Sequence, residues 1–101
     1  MLKNLSIASL ILFTASPVFA SSDAAWAEFA AQVERGCLNA AEGLYTEASA
    51  VVDPFGSESY GLAIVTGQGA DGLTLSAICV FNKHTEAVEI GGELDVTVTS
   101  R

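Results

Sequence analysis

Positive charge is what this chain has least of. Four lysines and arginines stand among 101 residues against twelve aspartates and glutamates, for a formal net charge of −8. Nucleic acids and anionic membrane surfaces are gripped by basic patches, so this balance excludes both as partners. A macromolecular partner would be a basic one. Histidine occurs once, as His84, and cysteine twice, as Cys37 and Cys79. Metal sites need several converging ligands, and with no second histidine and no spare thiolate neither a metal nor a cofactor is expected. Long apolar runs are also missing. The stretch from Leu5 to about Phe13 is far shorter than the ~20 residues that span a bilayer.

The order of features at the N-terminus is nonetheless informative. Lys3 precedes that short apolar stretch, Ser16-Pro17 breaks it, and Val18-Phe19-Ala20 sets small residues three before and one before a cut. Charged head, apolar body and small-residue site are the parts of a cleaved secretory signal, expected over residues 1–20. No cysteine follows the cut to carry a lipid, and no membrane insertion is expected after cleavage. Loss of Lys3 leaves three cations against twelve carboxylates, a net charge of −9. The sequon Asn4-Leu5-Ser6 lies inside the leader and none follows it, which fits a periplasmic destination. Residues 21–101 form one domain, since a chain this short buries only roughly 60% of its unfolded surface and cannot be divided further.

DAAWAEFAAQVERGCLNAAEGL, from Asp23, has helical periodicity. Trp26, Phe29, Ala30, Val33, Cys37, Ala40, Ala41 and Leu44 fall within about 60° of one line on a helical projection, with Glu28, Gln32, Arg35 and Glu42 opposite. Ser22 or Asp23 caps the start and Gly43 suits the stop. Gly36 costs about 1 kcal/mol of helix propensity. After Gly43 the chain reads as strands: 45–52, 60–66, 73–81, 87–90 and 93–99. DPFGSES (53–59) and GQGADG (67–72) are connections. Gly91-Gly92 is either a tight hairpin turn or a bulge in one bent strand. The fold class is therefore α+β: one amphipathic helix laid on one face of an antiparallel sheet of four or five strands. Cys37 sits mid-stripe on the helix, and Cys79 shares a strand face with Leu75, Ala77 and Phe81. Both thiols point inward, so a helix-to-sheet disulfide is expected. Closing a loop of about 43 residues, it stabilises the fold by about 4 kcal/mol.

Candidate sites are few. His84 lies in NKHTE, a hairpin tip, where a turn histidine needs no catalytic role. GSESYG is not a nucleophile elbow, and GQGADG lacks the lysine and following helix of a phosphate loop. Catalysis is not expected. Glu86, Glu89, Glu93 and Asp95 are dense but lack calcium-loop spacing, and read as a solvated acidic sheet face able to recognise a basic protein. Phe55, a large apolar residue in a polar loop, either folds onto the core or serves as a binding anchor, with Tyr60 beside it. The hairpin AICVFNKHTEAVEI resembles the closing hairpin of export-associated modules of the PepSY kind, whose turn runs aspartate, two residues, threonine or serine, glycine. Asn82, Thr85 and Glu86 hold those places here, and no residue role is carried over. The expectation is an exported, non-enzymatic binding or inhibitory module acting on a basic protein such as a cationic hydrolase. An accessory assembly domain offering strand 93–99 as an open edge is the alternative.

Overall fold

Helix α1 (Asp23–Ala41) begins where Ser22 supplies its cap, the Ser22 hydroxyl accepting from the Ala25 N–H at 3.1 Å. The computed structural model describes residues 22–96, 98 and 99. The expected leader lies outside them. The helix stops at Ala41, and Gly43 takes a left-handed φ of 88° while the Leu44 and Tyr45 N–H groups return to the Ala41 carbonyl. Leu44 is thereby lifted out of the helical phase the sequence suggests for it and is exposed, and Tyr45 enters the core instead.

Four strands follow: β1 (Thr46–Asp53), β2 (Tyr60–Gln68), β3 (Thr74–Asn82) and β4 (Val88–Leu94). They form an antiparallel meander in the order β1-β2-β3-β4. The stretches 87–90 and 93–99 do not make two strands. They share β4, with a bulge at Gly91-Gly92: Cys79 pairs with Ile90 and Ala77 with Glu93, so Ile78 is opposed by two residues. β4 ends at Leu94, short of the strand to 99 that the alternation of Leu94, Val96 and Val98 suggests. Thr97 lies outside the described residues. A second bulge interrupts β1 between Thr46 and Ser49, where Glu47 has a φ of 56°.

Helix α1 covers one face of the sheet. Val33, Cys37 and Ala41 meet Ala63, Val65, Ala77, Cys79 and Phe81, with Tyr45 closing one end. Most of these side chains are small, so the helix comes in close. A Cβ on Gly61 would lie 2.5 Å from Val33 Cγ2, and one on Gly36 would lie 3.1 Å from Val88 Cγ2. Gly36, weak for the helix, thus admits β4's Val88. Through the middle of this thin core runs the Cys37–Cys79 disulfide, with Cα atoms 6.1 Å apart. It is compatible with an oxidising, exported location.

Candidate functional site

Two surfaces concentrate side chains that the fold alone does not consume. The first is a cleft of about 290 Å³ at the start of α1, lined by Trp26, Phe29, Gln32, Phe81, Lys83 and Glu86. The β1–β2 loop forms its shoulder. Asp53 begins an Asx-type turn, its Oδ1 accepting from the Phe55 and Gly56 N–H groups at 3.0 Å each. Those two donors, Phe55 first, hold the Asp53 carboxyl below its ordinary pKa, and the charge of Lys83 adds to them. Lys83 then clamps the loop from the far hairpin: Nζ donates to the carbonyls of Phe55 at 3.0 Å and Ser57 at 2.7 Å. The same ammonium lies 5.1 Å from the Phe29 ring centroid and 5.7 Å from that of Trp26. Phe55 is 55% exposed, yet its ring stands edge-on to Trp26 with centroids 5.1 Å apart. It is both rested on the helix and open to solvent.

The β3–β4 turn is equally well held. Asn82 Oδ1 accepts from His84 N and Thr85 N, Glu86 N donates to Asn82 O, and Ala87 N donates to Thr85 Oγ1. Glu86 takes a φ of 65°, the conformation glycine adopts freely and the place where the resembled turn pattern has glycine. His84 is an exposed turn residue whose backbone serves that network.

The second surface is the outer face of the sheet, away from α1. The register places Val51, Ile64 and Ile78 directly opposite one another across three strands. They are 52%, 37% and 50% exposed. In the adjacent row Asp53 pairs with Leu62, Leu62 with Val80, and Val80 with Glu89, so two aliphatics are bracketed by carboxylates. Beyond Ile64 and Ile78, the next row is covered by the chain's own C-terminal segment. The buried Ser76 hydroxyl donates to the Val96 carbonyl at 3.1 Å, and Thr66 donates to Ser76 at 2.8 Å. A groove of about 390 Å³ remains over Val51, Leu62, Ile64 and Ile78.

The structure scatters the residues singled out from sequence. Tyr60 lies opposite Asn82 on the outer side, whereas Phe55 is on the helix side. Glu86 edges the aromatic cleft, and Glu89 is on the outer face. Glu93, opposite Ala77, faces the helix side, where burial first and Glu93 second push the Tyr45 phenol above its ordinary pKa. Asp95 follows the end of β4 and is exposed. Two groups were not singled out by sequence: Lys83 as a clamp, and the aliphatic rows. Among the described residues no cluster of histidine, cysteine and carboxylate side chains could hold a metal. No family model, curated protein or solved structure matches the chain.

Proposed function

We propose that the protein is a small exported binding or inhibitory module, non-enzymatic, that recognises a basic protein partner such as a cationic hydrolase through its acidic surface. On this reading residues 1–20 are a cleaved leader and the domain works in the periplasm. One observation carries the proposal: the described residues hold twelve carboxylates against two cations, Lys83 and Arg35. Lys83 is turned onto two backbone carbonyls and two rings, and Arg35 lies 4.0 Å from Glu28. That excess of carboxylates projects a negative field, which steers a basic partner and accelerates encounter. The rigid β1–β2 loop adds a preorganised element, which lowers the entropy lost on binding.

Recruitment of a partner strand has less support. Both edge strands, β1 and β4, carry bulges, a feature that blunts edges against pairing. The test is a pull-down from envelope extract with the oxidised protein at low and high salt. The expected result is a basic protein captured at low salt and released at high salt. Capture of acidic proteins, or capture indifferent to salt, would refute the proposal.

A further inference from the structure

Both faces of the central strands carry apolar side chains. Toward the helix β2 and β3 present Gly61, Ala63, Val65, Gly67, Leu75, Ala77, Cys79 and Phe81, while Leu62, Ile64, Ile78 and Val80 point outward. A solvated antiparallel face ordinarily alternates to polar residues, and exposed apolar patches of this kind mark interaction sites. We infer that this outer face is the docking surface for a cationic amphipathic helix of about two turns, supplied by the protein partner. The inference rests on the function proposed above and names the part of the partner that is bound.

Geometry and charge select this occupant. Strands about 4.8 Å apart spread Val51, Ile64 and Ile78 over about 10 Å, and the Leu62–Val80 row lies about 7 Å along the strands. Apolar side chains at i, i+3, i+4 and i+7 of a helix cover about 10 Å of its length. Asp53 and Glu89 close the second row on its two edges, where cations flanking a helix's apolar stripe would meet them. A second copy of the chain fits poorly, because it would set the same carboxylates against each other in a protein of net charge −8. The Val96 carbonyl lies over Ser76, one row beyond Ile64 and Ile78, at one end of the groove.

The experiment is a fluorescence-anisotropy titration of oxidised protein, purified from cells expressing the full chain. Its probe is a labelled leucine/lysine helix of about 14 residues, compared with a scrambled peptide of the same composition. The helical peptide is expected to bind about tenfold tighter than the scrambled one, and Ile78→Thr and Ile64→Thr each to remove about tenfold of that affinity. Threonine keeps the β-branched shape strands favour, and an unchanged circular dichroism spectrum certifies the fold. Should Ile64→Thr unfold, Ile78→Thr and the two-peptide comparison still decide. Equal binding of both peptides, or full affinity in Ile78→Thr, overturns the inference while leaving recognition by charge intact. A concentration-dependent dimer dissolved by Ile78→Thr assigns the face to a second copy and overturns it too. Binding of neither peptide overturns both readings.

Discussion

Replacing Gly61 by alanine tests how closely α1 sits on the sheet. The new Cβ would lie 2.5 Å from Val33 Cγ2, 3.0 Å from Phe29 Cζ and 3.4 Å from Phe81 Cβ. Carbon atoms in contact prefer about 3.5–4.0 Å, so the helix must retreat by roughly 1 Å or Val33 must leave its place. Val33 is fully buried beside the disulfide-bonded Cys37, which leaves little room for the second route. Overpacking of this sort costs about 1–3 kcal/mol. The smaller entropy of the unfolded alanine chain returns about 0.4–1 kcal/mol, for a net loss of about 1–2 kcal/mol. With a urea m-value near 1 kcal/mol/M for so small a domain, the unfolding midpoint should fall by about 1–2 M. The Val33→Ala, Gly61→Ala pair should lose less than the sum of its parts, because the first change removes the methyl that the second collides with. A midpoint that stays put or rises in Gly61→Ala would refute the close approach. As a control, Gly92→Ala meets nothing within 4 Å and should shift the midpoint little.

Reduction of Cys37–Cys79 should cost about 4 kcal/mol, out of a total of roughly 4–12 kcal/mol for a domain of this size. Urea unfolding with and without reductant reads this directly, and coincident curves would contradict it. Glu86→Gly should raise the melting temperature by a few degrees. It relieves a left-handed residue worth about 1–2 kcal/mol against about 0.5–1 kcal/mol of added chain entropy. A lower melting temperature would show that Glu86 makes a compensating contact. Tyr45 has its folded pKa raised, so its contribution to stability is present below the unfolded phenol's pKa of about 10 and is lost as pH rises through the folded value. In a Tyr60→Phe background the absorbance titration then reports Tyr45 alone. Glu93→Gln should move that midpoint down part of the way, since burial remains the larger cause; an unmoved midpoint would take Glu93 away from Tyr45.

The elements were legible in the sequence because each has its own period. The apolar stripe from Trp26 to Ala41 marks α1, and Cys79 with Ala77 and Phe81 marks the inner face of β3, so the α+β class and the disulfide follow. The Gly91-Gly92 pair was ambiguous because glycine serves turns and bulges alike, and only the pairing of β4 with β3 decides between them. That bulge also redistributes the carboxylates. Glu89 and Glu93 are four residues apart and would share a face in a regular strand, but the inserted residue turns Glu93 to the helix side. The outer aliphatic rows were hidden for another reason. YGLAIVT and LTLSAICVF are apolar at nearly every position, so they announce strands without saying that Leu62, Ile64, Ile78 and Val80 are left on the face away from the helix. Lys83 in NKHT looks like any hairpin-tip cation. Its contact with Trp26 joins residues far apart in the chain, and no local pattern encodes it.

The central claim is the proposed recognition of a basic protein by the acidic surface. The most direct test is a calorimetric titration of the oxidised protein with a lysozyme-class cationic hydrolase at about 0.01 M and about 0.15 M salt, where the screening length falls from about 30 Å to about 8 Å. Binding that is tight at low salt and weakened at least tenfold at the higher salt is the result expected. Binding of equal strength at both, or none at either, would contradict the claim.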